Sequence, residues 1–240
     1  MGELFNLDNK FFQGMNKAID CVLLNVLWIF CCVPLVTLFF VAWGSGVILY
    51  WIICWLTAVL AGPATVAMYY AVNKVVRHGR SYIWREYWHA FRSNFKQGAA
   101  AGLIVFGLAL FMGFDSYIMY HFAVSGGKGG VLYIVFLIFI LLVSTWGVYV
   151  FSYMARFENH LRQVLKNAAL ISVANLPWSF VLLLLFLGAA FLIFLLPPLL
   201  MIVPVVYMVI ANRILEKIFI KYMSEEDIAA ERERNEEFYN

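Results

Sequence analysis

Residues 21–73 read CVLLNVLWIFCCVPLVTLFFVAWGSGVILYWIICWLTAVLAGPATVAMYYAVN and contain no Asp, Glu, Lys, Arg or His. A helix crosses the hydrocarbon core of a bilayer with about 20 apolar residues. This run is more than twice that length, and Gly44-Ser45-Gly46 supplies turn residues near its middle. The run therefore predicts two membrane-spanning helices, at about 21–43 and 47–73.

The composition of the whole chain agrees with a membrane protein. Hydrophobic residues make up 64% of the 240 residues and charged residues 13%, whereas soluble domains are roughly 45–50% apolar. Inside a bilayer, backbone amides have no water to pair with, and helices satisfy them internally. The alternating pattern of a membrane β-barrel is absent from these runs, so an all-α protein is expected.

The remaining apolar runs predict four more spans, at about 97–120, 131–155, 171–195 and 199–215. The last two share one uncharged run from Asn167 to Asn212. Pro197-Pro198 should break that run, because proline removes a backbone donor and clashes with the preceding turn. We predict a polytopic helical bundle of six spans, with residues 1–220 as a single membrane domain and 221–240 as an acidic cytoplasmic tail.

The basic residues predict the orientation of these spans. Of the 17 Lys and Arg residues, all except Lys128 fall on the side that holds both termini. Loops rich in Lys and Arg stay in the cytoplasm. Both termini are therefore expected to be cytoplasmic.

The segment between the second and third spans, SYIWREYWHAFRSNFK at 81–96, has the pattern of an amphipathic helix. Its aromatic residues recur at i, i+4, i+7 and i+11, with basic residues between them. The candidate partner-binding residues are Trp84, Arg85, Trp88, Phe91, Arg92 and Phe95. Two interpretations stay open: an interfacial helix at the lipid headgroups, and a docking helix for a cytoplasmic partner.

Two pairs of residues inside the spans indicate breaks in the helices. Gly62-Pro63 precedes Lys74 by about eleven residues, and Pro177, after Asn175, follows the preceding basic segment by a similar distance. At 1.5 Å per residue both breaks are expected near the middle of the bilayer. Such breaks line substrate paths in transporters, but kinked packing helices contain prolines as well.

Asp115 is the one acidic residue expected in the outer half of a span. Because a charge at that depth is unfavourable, a water-facing position or a partner is expected, and His121 lies one to two helical turns away. The alternative is an aspartate at the helix end that reaches the outer interface. Under the first of these interpretations, Asp115 belongs to the candidate substrate path together with Gly62, Pro63, Asn175 and Pro177.

The chain lacks the residue patterns of metal sites and of common enzymes. Its four histidines have no metal-ligand spacing, and no carboxylate pair or nucleophile–base set is visible. Its cysteines lie in apolar runs, where a thiol behaves as a small hydrophobe; they are Cys21, Cys31, Cys32 and Cys54. We expect no metal, no cofactor, no nucleic-acid partner and no enzymatic activity.

Four stretches of the chain carry a family resemblance: LLNVLWIFCCVPLVT (23–37), GPATVAMYYAVNKVVR (62–77), FRSNFKQG (91–98) and ARFENHLRQVLKNAALISVANLP (155–177). Together they resemble the YesL family of bacterial membrane proteins, whose function is uncharacterised. In that family a Pro-x-x-Thr element usually runs almost directly into Gly-Pro-Ala. Here an apolar insert at 38–61 separates the two, so the span count above rests on the charges of this chain.

The resemblance also suggests a biological setting. Members of the family are typically encoded beside carbohydrate ABC importers of Gram-positive bacteria, which implies a role in sugar uptake at the bacterial cell membrane. The leading hypothesis is a non-enzymatic accessory subunit or regulator that contacts the permease subunits of a carbohydrate ABC importer. The alternative is an independent small-solute carrier or channel, and a structural or signalling membrane protein is a third class. The sugar and the oligomeric state stay open.

Overall fold

The computed structural model describes residues 10–77, 82–126, 132–226 and 228–229, with side chains from residue 18 onward except at 75–77. These residues form eight α-helices and no strand, which confirms the all-α prediction for the described part of the chain. The helices are α1 (Lys10–Ser45), α2 (Ile48–Ala71), α3 (Ile83–Ser93), α4 (Phe95–Val124), α5 (Leu132–Arg156), α6 (Leu161–Ala174), α7 (Leu176–Leu195) and α8 (Val203–Ile220). Lys128 and most of the predicted acidic tail lie outside the described residues, so their placement stays a prediction.

Among the described residues, five helices are long and apolar enough to cross a membrane, as expected for a membrane protein. The candidate spans are Ala18–Ser45, Ile48–Lys74, Phe95–Val124, Leu132–Arg156 and Leu176–Leu195. They correspond to the first five predicted spans, with ends that differ by up to four residues and one larger change at the start of the fifth. Residues 171–174 belong to α6, and the spanning helix begins at Leu176, because Asn175 leaves the helical conformation between them.

The sixth predicted span, at 199–215, corresponds to a 3-10 turn at Pro197–Met201 followed by α8. The 18 residues of α8 include Arg213, Glu216 and Lys217, which makes this helix more polar than the other five. Its side chains nevertheless join the core, since Val205, Ala211 and Leu215 are fully buried. A sixth crossing of the membrane stays a prediction.

The two predicted turns in the long apolar runs are both present. The first helix ends at Ser45 and α2 begins at Ile48, with Gly46 between them at φ +65°. This left-handed conformation favours glycine, and a Cβ there would lie 2.6 Å from the hydroxyl of Tyr117. The Pro197-Pro198 pair likewise ends α7 and opens the 3-10 turn.

The centre of the bundle is α2, which packs against α1, α3, α4 and α5. In its most apolar stretch 61% of the residues are buried, compared with 11% in α7. The contact with α4 depends on small residues: Ala58 and Gly62 of α2 face Gly98 and Gly102 of α4. Small residues four apart allow two helix backbones to approach closely in a membrane. Because α3 connects α2 to α4 in the chain, this close contact also limits where α3 can lie on the bundle.

The helix predicted at 81–96 is shorter than expected. It spans Ile83–Ser93, and Asn94 leaves the helical conformation at φ −97° and ψ 8°. The Asn94 side-chain amide donates to the carbonyl of Ala90 at 3.2 Å, the kind of local bond by which asparagine competes with a helix. Phe95, one of the six candidate partner-binding residues, consequently belongs to α4.

Candidate functional site

One end of the bundle holds most of the charged side chains that the structure describes. This basic end comprises α3, α6, the final turns of α2, α5 and α8, and the first turns of α4 and α7. It is the end that the positive charges predict to be cytoplasmic. Two ion pairs organise it: one joins the consecutive elements α2 and α3, and the other joins α5 to α8, which are far apart in sequence.

The first ion pair attaches α3 to the end of α2. Lys74 lies in a π-helical turn, Val72–Arg77, that continues α2, and its Nζ donates to Glu86 Oε2 at 2.8 Å. The Glu86 side chain is 6% exposed, so the Lys74 charge compensates a carboxylate that is almost out of water. Lys74 Nζ also donates to the hydroxyl of Tyr70 at 3.3 Å.

The second ion pair joins the last residue of α5 to α8. The guanidinium of Arg156 contacts the carboxylate of Glu216 directly, and the two side chains are 10% and 6% exposed. Arg156 also donates to Met223 Sδ at 3.4 Å and lies 5.6 Å from the centre of the Phe157 ring. Because a buried charge without a partner is strongly unfavourable, this pair holds α8 against α5.

Polar side chains surround the second pair on the membrane side. A small cavity of about 10 Å³ lies beside it, lined by Tyr69, Asn73, Ser152, Arg156, Asn212, Glu216 and Phe219. That volume is at the lower limit for a single water molecule. Buried amides and hydroxyls therefore extend the polar character of the basic end into the apolar bundle.

A larger polar groove of about 710 Å³ opens beside α3. The first residues of α4 and the α5–α6 connection form its walls together with the last turn of α3. Its polar lining residues are Tyr70, His89, Ser93, Asn94, Gln97, Arg156, Glu158, Asn159, His160 and Gln163. Amide and imidazole groups predominate, so the groove can exchange hydrogen bonds with a polar partner or solute.

Only part of α3 is turned towards the bundle. Its buried residues are Ile83, Glu86, Tyr87 and Ala90. Tyr87 is fully buried, and desolvation raises the pKa of its phenol, which therefore stays neutral at physiological pH. These four positions hold α3 on α1 and α2.

The predicted partner-binding residues of α3 divide between the exposed and the packed faces. Trp84 is 61% exposed, and Arg85 and Arg92 are exposed as well. Trp88 and Phe91 pack against the core while remaining half-buried. Of the candidate partner-binding residues, Trp84 and the two arginines therefore lie on the exposed face of α3, where Arg85 is 3.7 Å from Glu86 Oε1.

The aromatic side chains along this segment form one continuous row. Successive ring centres are 5.8 Å apart from Trp84 to Trp88, 5.3 Å from Trp88 to Phe91 and 5.6 Å from Phe91 to Phe95. The row passes from the exposed side of α3 to the first residue of α4. A contact at Trp84 therefore touches a set of rings that reaches the core.

The predicted break at Gly62-Pro63 does not interrupt α2, which continues to Ala71. Both residues are buried in the contact with α4, and a Cβ on Gly62 would collide with the carbonyl oxygen of Gly98. Of the two interpretations of Gly62-Pro63, this geometry fits a helix that packs closely against its neighbour. The pair marks a close helix crossing and lines no open path in the described residues.

The break at Asn175 and Pro177 is present, and it lies where the candidate span Leu176–Leu195 begins rather than within that span. It separates α6 from α7, and the 20 residues of α7 are enough for one crossing. The Asn175 side-chain amide donates to the hydroxyl of Tyr222 at 2.9 Å. The Ser179 hydroxyl donates a hydrogen bond to the carbonyl of Ser172 at 2.7 Å. The polar groups freed here are paired, so they hold three helices together.

Asp115 lies far from this site, towards the other end of α4. Among the described residues it forms no hydrogen bond or ion pair, and the predicted pair with His121 is not formed. His121 is exposed and packs instead on Tyr117, with ring centres 4.5 Å apart. Gly62, Asn175 and Asp115 thus belong to three separate places, and the structure does not bring them together as one path.

Sequence reasoning missed the ion pairs and the glycine contact. The string GAAAG at 98–102 is a recognisable signal for close helix packing, and it could have identified the α2–α4 crossing. The partners of Arg156 and Glu216 had no comparable signal, because 60 positions separate them. In the part of the chain that the structure describes, no group of three or more His, Cys, Asp or Glu side chains could hold a metal.

These features define an α-helical membrane protein with a polar, ion-paired site at the basic end of its bundle. A family described as "Protein of unknown function, DUF624" matches residues 45–116, which contain α2, α3 and most of α4. The match thus includes the glycine crossing and the Lys74–Glu86 pair. No curated protein and no solved structure matches the chain.

Proposed function

We propose that this protein is a non-enzymatic accessory subunit or regulator of a carbohydrate ABC importer in a bacterial cell membrane. In this proposal the chain crosses the membrane six times with both termini in the cytoplasm, and α3 contacts the permease subunits. The observation that carries the proposal is the exposed face of α3, where Trp84, Arg85 and Arg92 stand on a helix anchored by the buried Lys74–Glu86 pair.

The composition of that face suits a protein contact at the membrane boundary. Tryptophan and arginine are the residues most often responsible for binding energy in interfaces. A rigid helix presents them without an ordering penalty, because the ion pair and the buried Tyr87 already fix its position. The choice of importer rests on the resemblance of the chain to the YesL family, and the match to DUF624 is compatible with it.

We expect the triple variant Trp84→Ala/Arg85→Ala/Arg92→Ala to lose association with the importer. Each of these side chains is exposed, so their truncation should leave insertion and folding unchanged. The measurement is purification of the tagged full-length protein in mild detergent from a native-like host, with mass spectrometry of the bound proteins. Recovery of permease subunits should fall at least tenfold, the effect of losing roughly 1.4 kcal/mol of binding energy.

A control variant with the same loss of residue types tests whether position matters. Trp178→Ala/Arg213→Ala/Lys217→Ala removes one exposed tryptophan and two exposed basic side chains from α7 and α8. It should retain the permease subunits. Equal loss in both variants, or no permease in the wild-type purification, contradicts the proposal.

A second candidate function is an independent small-solute carrier or channel. It is favoured by the buried Arg156–Glu216 pair and the adjacent amides, because ionisable groups beside the membrane interior often mark a solute path. This hypothesis predicts solute flux in liposomes that contain the protein alone, and a change in that flux with Arg156→Met/Glu216→Met. Liposomes with no flux above the protein-free background exclude it.

A further inference from the structure

A second cavity lies in the middle of the bundle, away from the basic end. Its volume is about 270 Å³, and residues of α1, α2, α4, α5, α7, the 3-10 turn and α8 line it. An apolar cavity of about 150 Å³ is known to hold benzene. This one is nearly twice as large, so it has room for roughly a dozen non-hydrogen atoms.

The lining of this cavity is almost entirely apolar. It includes Val105, Phe106, Phe151 and Met208, and no charged side chain is among its residues in the described part of the chain. A sugar needs a hydrogen-bond partner for each of its hydroxyl groups, since an unmet group in an apolar site is strongly unfavourable. The cavity therefore does not fit the solute expected for a carbohydrate importer.

Two polar side chains in the lining are already paired with protein groups. Trp28 Nε1 donates to Thr65 Oγ1 at 3.1 Å, and Thr65 Oγ1 donates to the carbonyl of Ala61 at 2.8 Å. These groups consequently offer little to a ligand. They instead tie α1 to α2 at the wall of the cavity.

Tyr207 of α8 differs from these two residues. It lines the cavity and is 9% exposed, and its ring packs edge-on against Phe186 of α7 at 5.9 Å. Its buried hydroxyl has no hydrogen-bond partner among the described residues. A buried hydroxyl without a partner is unfavourable by about 1–3 kcal/mol. An oxygen acceptor supplied by a ligand would remove that penalty.

We propose that this cavity binds a small membrane-soluble molecule that has an apolar body and one hydrogen-bond-accepting oxygen, which receives the hydroxyl proton of Tyr207. The size of the cavity limits the body to one or two rings or a short chain. The hydroxyls of Tyr69 and Ser144 also line the cavity, but among the lining residues it is the Tyr207 hydroxyl that is fully buried without a partner, and it specifies the oxygen. The bilayer supplies such molecules directly, since Phe186 and Ala190 at the α7 wall are exposed to the surroundings of the bundle.

Benzophenone is a suitable probe, because it consists of two rings and one carbonyl oxygen and forms covalent bonds to nearby C–H groups under light. The full-length protein in lipid vesicles would be irradiated over a range of benzophenone concentrations, and the labelled peptides identified by mass spectrometry. We expect saturable labelling on the cavity-lining peptides of α5, α7 and α8. Tyr207→Phe should raise the half-saturating concentration about two- to tenfold, the usual effect of one hydrogen bond.

Matched variants and a matched ligand separate this site from simple partition into lipid. Ala189→Phe should fill the cavity and abolish the saturable labelling, whereas Leu184→Phe, on the lipid-exposed side of the same helix, should not. Diphenylmethane has the same two rings without the oxygen. In the wild type it should therefore compete with benzophenone labelling less well than a benzophenone analogue that keeps the oxygen. In Tyr207→Phe the two competitors should be equally effective. Thermal melting of each variant verifies its fold. Labelling that is unsaturable, or the same in Ala189→Phe and Leu184→Phe, overturns the proposal.

Discussion

Gly62→Ala should destabilise the protein by about 3 kcal/mol, at the upper end of the range for overpacked cores. The added Cβ would collide with the Gly98 carbonyl oxygen and lie 2.9 Å from the Cα of Gly102. Both neighbours are backbone atoms of α4, which no side-chain rotation can move aside. The two helices must therefore separate, and unfolding in detergent, followed by circular dichroism, should show a lower melting temperature.

Gly188→Ala is the matched control for this substitution. Gly188 also lies inside a spanning helix, but nothing stands within 4 Å of the position of its Cβ. Replacing glycine by alanine in a helix interior is otherwise favourable by about 0.5–1 kcal/mol. The control should melt at or slightly above the wild-type temperature. Similar melting temperatures for the two variants would show that the α2–α4 crossing is looser than the structure indicates.

Glu216→Gln should destabilise the protein by about 3–5 kcal/mol, because it leaves the buried Arg156 guanidinium beside a neutral amide. The side chains of this pair are 10% and 6% exposed, so water can stabilise neither charge. Arg156→Met should have an effect of the same order. It also removes the contacts of Arg156 with Met223 and with the Phe157 ring. Thermal unfolding in the same detergent measures both effects.

The double variant Arg156→Met/Glu216→Met tests whether the loss comes from a stranded charge. A buried ion pair can often be replaced by apolar residues without a loss of stability, so the double variant should recover most of what either single variant loses. Lys217→Met, which removes an exposed charge one residue away, should change stability by less than about 0.5 kcal/mol. Additive losses in the double variant would contradict a direct pairing of the two charges.

The sequence was sufficient for the features that depend on local composition. Runs without charge predicted six spans, because the width of the bilayer sets their length, and five of these correspond to described helices able to span a membrane. Turns followed from residues with special backbone properties, as at Gly46 and at Pro197-Pro198. The helix at 81–96 was found from its spacing, but its end was placed three residues too late because the capping role of Asn94 depends on a side-chain bond.

The errors concern residues whose role depends on what lies opposite them. Gly62-Pro63 looked like a break in the helix, yet the residues of α4 that fill the gap turn it into a close packing contact. Asn175 and Pro177 were placed in mid-bilayer by counting from Lys166. The residues that precede Asn175 in fact form α6, and α7 begins at Leu176. Asn175 therefore lies between two helices, where its side chain contacts the Tyr222 hydroxyl.

By itself, then, the sequence determined that the chain is a helical membrane protein, where its main spans lie to within about five residues and where its turns fall. Hydropathy, glycine and proline act over a few residues, and their effects can be added along the chain. Only the tertiary structure decided that Arg156 meets Glu216, that Gly62 meets Gly98, and that a cavity with an unpaired Tyr207 hydroxyl lies between the helices. Each of these contacts depends on the relative position of helices that are distant in sequence, and no local pattern specifies that position.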